Sequence, residues 1–268
     1  MLGFEGAAEI QDVGPGVSEF KPGDRVAYAL PPHGTYSQER IFPADKLSRV
    51  PDGIDDATIA SLMLKGLTAQ YLLRRTYRVQ PGDFVLIHAA AGMGHVLCPW
   101  AKHLGATVIG TISTDEKAEI ARGLGRDFTI NYSVEDFLPI CRDITGGEDV
   151  HVVYESIGKD TLQRSLECLR PLGMCAAYGH ASGVPDPVRV ILDLGQRGSL
   201  FLTRPAIMHY MAKREDLVAG AGELFDVIEK GIVKNSVSRT FPLREAAAAH
   251  AAIESRATTG ATILLPWA

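Results

Sequence analysis

Phe84-Val85-Leu86-Ile87-His88-Ala89-Ala90-Ala91-Gly92-Met93-Gly94-His95 sets an apolar run directly before a glycine-rich turn, and Val96 to Leu104 then has the apolar spacing of a helix. A strand, a glycine turn and a helix in that order open a doubly wound α/β sheet and can receive the pyrophosphate of a dinucleotide. Glycine lets the phosphates approach the backbone, and the helix start offers free N–H groups and a positive dipole end. The same pattern also serves tight strand-to-helix packing, so the neighbouring segments decide between the two.

Strand patterns recur at 84–90, 107–112, 128–132, 151–157, 174–178 and 199–203, separated by helical patterns at 93–104, 115–124, 134–144, 160–169 and 188–194. Six strands with crossover helices predict an α/β domain with a Rossmann-type doubly wound parallel sheet over residues 69–205. The flanks differ. Residues 1–60 are rich in Gly, Pro and short β-like pieces such as Arg25–Tyr28, and the C-terminal part holds a long helix near 215–230 and a strand near 262–265. Residues 1–68 and 206–268 are therefore expected to form a second, β-rich domain from both ends of the chain.

With 268 residues, 46% hydrophobic and 22% charged, the chain can bury a large core, and none of its apolar runs reaches membrane-spanning length. A net charge of −5 argues against nucleic acid as the main partner. Cys98, Cys141, Cys168 and Cys175 lack metal-ligand spacing, and the start lacks the basic and apolar regions of a signal peptide. A reducing, cytoplasmic compartment is expected.

NAD sites usually carry an acidic residue at the end of the second strand to hold the ribose hydroxyl. Here the chain reads Gly110-Thr111-Ile112-Ser113-Thr114-Asp115-Glu116-Lys117. A small polar residue, Ser113, with Lys117 one helical turn later favours a 2′-phosphate and hence NADPH. Equally, Ser113 or Thr114 could cap a helix with Lys117 solvated, and Asp115 and Glu116 weaken the positive field.

Taken with Met63-Leu64-Lys65-Gly66-Leu67-Thr68-Ala69-Gln70-Tyr71-Leu72-Leu73, Pro81-Gly82-Asp83, Asn131-Tyr132, Ser199-Leu200-Phe201-Leu202-Thr203-Arg204-Pro205 and Arg256-Ala257-Thr258-Thr259-Gly260, these residues resemble the zinc-independent NADPH:quinone oxidoreductases of the medium-chain dehydrogenase/reductase superfamily. The resemblance covers nearly the whole chain. It implies a GroES-like substrate domain beside the Rossmann domain. Ala90, Ala91, Gly92, Met93 and Gly94 would lie under the pyrophosphate, Ser113 at the adenosine ribose, Lys117 and Arg256 on the 2′-phosphate, and Tyr132 over the adenosine end. Ser156, Gly158 and Gly179 would line the cleft, with the backbone of Phe201 and Leu202 at the nicotinamide amide and Thr68 across the ring. A homodimer through Ser199-Leu200-Phe201-Leu202-Thr203 at the sheet edge is also implied.

Zinc relatives in that superfamily bind metal through a Gly-His-Glu motif, and this chain has Gly3-Phe4-Glu5, which cannot ligate zinc through its second residue. Two departures from the family pattern stand out. The chain begins well inside the GroES-like barrel, so the loop that normally brings an Asn and a Tyr to the nicotinamide is not expected, and the phosphate turn is one glycine shorter than usual. The expected activity is zinc-independent transfer of hydride from NADPH to a quinone. The alternatives are reduction of an activated double bond in an enal or enone, or a catalytically silent form that binds NADPH or RNA.

Overall fold

The computed structural model describes residues 2–88, 92–113, 125–235, 237–255 and 260–268. It divides into two compact units, Met1–Thr68 with Ile207–Ala268, and Ala69–Ala206.

In the first unit β1 (Gly6–Glu9), β2 (Arg25–Tyr28) and β3 (Ser48–Arg49) form an antiparallel sheet in that order, with Phe20, Val26, Tyr28 and Leu47 packed beneath it. Helix α1 (Asp56–Tyr71) follows. Asp55 caps it, accepting the Thr58 N–H at 2.8 Å and the Thr58 hydroxyl at 2.6 Å. Sequence periodicity missed this helix because it is buried nearly all round, leaving no polar face to set a 3.6-residue rhythm.

In the second unit β4 (Phe84–Ile87), β5 (Thr107–Ile112), β6 (Phe128–Asn131), β7 (Val150–Glu155), β8 (Leu169–Ala177) and β9 (Phe201–Thr203) make one parallel sheet in the order β6-β5-β4-β7-β8-β9. Helices α2 (Gly94–His103), α3 (Phe137–Ile144) and α4 (Leu162–Glu167) cross between strands. The strand order is that of the doubly wound fold, with the winding reversing between neighbours β4 and β7. The central strands are apolar on both faces because helices cover both. Tyr154 on β7 is fully buried, its hydroxyl donating to the Leu72 carbonyl at 3.1 Å.

Several boundaries differ from those expected, each for a local reason. The first strand stops at Ile87, and the fourth stops at Glu155 because that side chain accepts the N–H groups of Ile157 and Gly158 and turns the chain. The helix expected at 134–144 begins only at Phe137, capped by Asp136, because Asn131 holds 133–135 in a turn. The helix expected at 160–169 ends at Glu167, and β8 starts at Leu169. Within β8 the partners of Val150 and Val152 are Leu169 and Met174, so Arg170 to Gly173 bulge out, with Leu172 at φ 61°. At 188–194 stands a wide π-type turn, Val190–Gly195, and the edge strand starts at Phe201 because Ser199 takes φ 57°. The helix expected at 115–124 lies outside the described residues.

The chain then returns to the first unit through α5 (Ile207–Tyr210), α6 (Arg214–Glu229), β10 (Val237–Pro242), α7 (Ala246–Glu254) and β11 (Ala261–Leu265), with β10 and β11 paired in parallel. Arg214 at the start of α6 ties this return to the N-terminal segment, donating to the carbonyls of Asp45 and Leu47 and pairing with Glu19 at 2.8 Å. Among the described residues no helix is long and apolar enough to cross a membrane.

Gly66 on α1 lies against fully buried Leu224 of α6, where an added Cβ would stand 2.3 Å from the leucine Cδ1. Gly66→Ala is expected to destabilise the protein by about 1–3 kcal/mol through overpacking. In a Leu224→Ala background the same change should cost clearly less, and equal costs in a thermal-melt double-mutant cycle would refute the contact.

Glu5, just before β1, accepts the Leu64 N–H at 2.7 Å, yet burial of its carboxyl pushes its pKa from 4.5 up to about 7 against the pull of that bond and of Lys65. The folded state therefore holds a proton that the unfolded chain has released, so stability should fall as pH rises from about 4.5 to about 7. Glu5→Gln keeps the acceptor for Leu64 without the charge. It is expected to flatten that decline and to raise the melting temperature above neutral pH, by a stability gain on the order of 2 kcal/mol.

Candidate cofactor-binding site

At the switch point the carboxyl ends of β4 and β7 lie side by side, the place at which open α/β sheets hold ligands. Ala90 and Ala91 lie outside the described residues. Gly92 and Met93 form the turn into α2, whose first residue is Gly94. Gly92 takes no left-handed φ, and an added Cβ would meet nothing within 4 Å. Among the described residues neither a left-handed φ nor a neighbouring atom calls for glycine there.

Where β4 and β7 end is a buried polar cluster that sequence reasoning missed. One carboxylate oxygen of Glu155 accepts the N–H groups of Ile157 and Gly158 at 2.7 and 3.1 Å. The other accepts the hydroxyls of Thr161 at 2.9 Å and Ser165 at 2.6 Å. His88, at the end of β4, sets Nε2 2.9 Å from the Ser165 hydroxyl and Nδ1 2.8 Å from that of Thr111 on β5. His88, Thr111, Glu155 and Ser165 are all fully buried. Burial pushes the imidazole pKa down, against the raising pull of the Glu155 charge. The sequence signal for this cluster is an acid closing an apolar strand, followed by hydroxyl residues four apart at the start of the next helix.

The loops after β7 and β8 are zipped together. Ala181 N–H donates to the Ser156 carbonyl at 3.1 Å, Ser182 N–H to Ile157 at 2.8 Å and Lys159 N–H to Gly183 at 3.1 Å. Gly158 and Gly179 make this possible, since added Cβ atoms would lie 2.7 Å from the carbonyl oxygens of Gly183 and Ser156 respectively. Ser156 also reaches the β4 end, its hydroxyl donating to the His88 carbonyl at 3.3 Å.

The structure thus brings Ser156, Gly158 and Gly179 together at the switch point. Ser113 and Tyr132 form a second group at the ends of β5 and β6: the Ser133 hydroxyl donates to the Ser113 carbonyl at 2.9 Å, and Tyr132 N–H donates to Ile112 at 3.0 Å. Phe201 and Leu202 lie on β9, paired with Met174 and Cys175, two strands or about 10 Å from β7. Thr68 is half-buried on α1 and is the last residue of the first unit. Lys117 and Arg256 lie outside the described residues.

Two kinds of glycine meet here and should respond differently. Gly158→Ala and Gly179→Ala are each expected to cost about 1–3 kcal/mol, because a backbone atom blocks the new methyl. Gly92→Ala should leave the melting temperature unchanged within about 2 °C, a shift matching a cost below ~0.5 kcal/mol. A fall at Gly92 as large as at Gly179 would refute the open-space account.

Comparison with known proteins fits this geometry. A family described as zinc-binding dehydrogenase matches residues 92–222. A 2-haloacrylate reductase from Burkholderia sp is 62% identical, over 100% of this chain and 81% of its own length. A quinone oxidoreductase from Pseudomonas aeruginosa is 47% identical, over 99% of this chain and 82% of its own. The crystal structure of Escherichia coli quinone oxidoreductase complexed with NADPH superposes with a TM-score of 0.93 at 44% identity, covering 99% of this chain and 82% of that one. The zinc of the family description finds no ligand set among the described residues: no three His, Cys, Asp or Glu side chains converge, Phe4 packs on His33 at 5.1 Å, and the four cysteines are buried. On fold, switch-point geometry and identity over nearly its whole length, the chain belongs to the quinone oxidoreductase family of the medium-chain dehydrogenase/reductase superfamily.

Proposed function

We propose that this oxidoreductase takes NADPH and reduces an electron-poor conjugated acceptor, a quinone in the first reading. The observation that supports the cofactor is the turn at Gly92 and Met93 into α2, beside the switch point where β4 and β7 are neighbours. Ala90, Ala91, Gly92, Met93 and Gly94 would hold the pyrophosphate. Ser113, Lys117, Tyr132 and Arg256 would take the adenosine 2′-phosphate end. Ser156, Gly158, Gly179, the backbone of Phe201 and Leu202, and Thr68 would take the nicotinamide end. When bound, NADPH supplies a hydride. The chain's own work is to hold the ring and the acceptor in contact and to keep water from the transfer.

The first unit is read as the GroES-like substrate domain. A homodimer across β9 is supported by its edge position and by exposed Phe201, Val190 and Ile191 nearby. Four buried free thiols support a cytoplasmic location.

A second reading has a specific observation behind it, the 62% identity to a 2-haloacrylate reductase, which exceeds the 47% to a quinone oxidoreductase. Both acceptors are conjugated, so one cofactor geometry serves both, but a haloacrylate is an anion and a benzoquinone is neutral. NADPH consumption should therefore be followed with 1,4-benzoquinone, 2-chloroacrylate and an enone in parallel, and against NADH. The expected result is turnover at least about tenfold faster with NADPH than with NADH, the size of one well-made charge-assisted contact. A higher kcat/KM for 2-chloroacrylate, falling with added salt, would favour the second reading. Cofactor binding without turnover of any acceptor would sink both.

A further inference from the structure

The buried cluster joins four elements of the second unit, β4, β5, β7 and α4. A carboxylate offers about four lone-pair positions, and those of Glu155 are filled by two backbone N–H groups of the loop after β7 and two hydroxyls of the next helical segment. Ser165 has one hydrogen. Its contact to Glu155 is 2.6 Å and that to the Thr161 carbonyl 2.9 Å, so the proton goes to the carboxylate and the serine oxygen accepts from His88. The Thr111 hydroxyl then donates to the other ring nitrogen of His88. The donors and acceptors close without remainder, and the chain of bonds runs from β5 through the end of β4 to the loop after β7. Meanwhile the Ser156 hydroxyl on that loop donates to the His88 carbonyl at the end of β4.

We propose that Glu155 is a positioning residue for the cofactor, fixing the loop at Ser156 to Gly158 against the end of β4 through Ser165 and His88, and so setting where the nicotinamide half of the dinucleotide lies. This rests on the NADPH reading above. The adenosine half does not share the dependence, because Ser113 and Tyr132 are held by their own bonds at the ends of β5 and β6. What the loop needs from position 155 is a long side chain ending in an acceptor for two N–H groups. The negative charge is secondary, since the two hydroxyls can rotate to accept where they now donate, whereas backbone N–H groups cannot.

Titration calorimetry of the full chain with NADPH and with adenosine 2′,5′-bisphosphate separates these roles. Glu155→Ala is expected to weaken NADPH by about tenfold or more while changing the bisphosphate by less than about twofold, the loss of one or two buried hydrogen bonds read on one half of the ligand. Glu155→Gln, which keeps the acceptor for Ile157 and Gly158, should restore NADPH binding to within about threefold, a residual below one hydrogen bond. Where Glu155→Ala fails to fold, the Thr161→Val, Ser165→Ala double variant carries the test, with a smaller loss for NADPH and again none for the bisphosphate. The positioning role is overturned if the two ligands weaken together, if NADPH is unaffected by either set, or if Glu155→Gln is as weak as Glu155→Ala. Wild-type protein that binds neither ligand overturns the cofactor reading instead.

Discussion

A carboxylate taken wholly out of water must be met by donors, and at Glu155 that requirement organises the centre of the second unit. The cost of stripping water from the charge is recovered only if four donors arrive together, and those donors come from the loop after β7 and from the segment that begins α4. Satisfying the acid therefore decides where β7 ends, how the loop turns and which face α4 presents to the sheet. His88 extends the same constraint to β4 and β5. A half-satisfied version of this cluster would be worse than an apolar one, so its members stand or fall as a set.

Around that centre the glycines differ in what surrounds them. Gly158 and Gly179 let two loops approach so closely that their backbones zip, which makes a stiff lip from residues that carry no chemistry. At Gly92 an added Cβ would meet no atom of the described residues within 4 Å. On the proposed reading, a zipped pair of loops beside the turn at Gly92 and Met93 would leave little ordering to be done when a long ligand binds.

Sequence pattern revealed the alternation of strands and helices because parallel strands covered on both faces are written as short, almost unbroken apolar runs, such as Val85-Leu86-Ile87 and Val152-Val153-Tyr154. Pattern failed where structure is set by single side chains or by uniform burial. Helix α1 has no polar face and so no period. The early end of β7 depends on one carboxylate, and the late start of α3 on the turn held by Asn131. The β8 bulge depends on Leu172 accepting a left-handed conformation to follow Pro171. Resemblance named candidate cofactor residues because those recur as motifs. The polar cluster is distributed over β4, β5, β7 and α4, with no two of its side chains adjacent in sequence, and only the folded topology collects it.

That separation bears on why similar chains can act on different acceptors. The cofactor brings the reactive hydride, so the chain's contribution is the geometry in which the ring is held. A buried, fully satisfied cluster resists change, because each substitution leaves partners unpaired, whereas residues that face the acceptor are free to vary without disturbing it. One switch point can then serve a neutral quinone in one relative and an anionic haloacrylate in another. Selection between acceptors differing by a unit charge needs only a cation or its absence near the acceptor, worth about 1–3 kcal/mol for a charge-assisted hydrogen bond, with no alteration to the sheet, the lip or the turn.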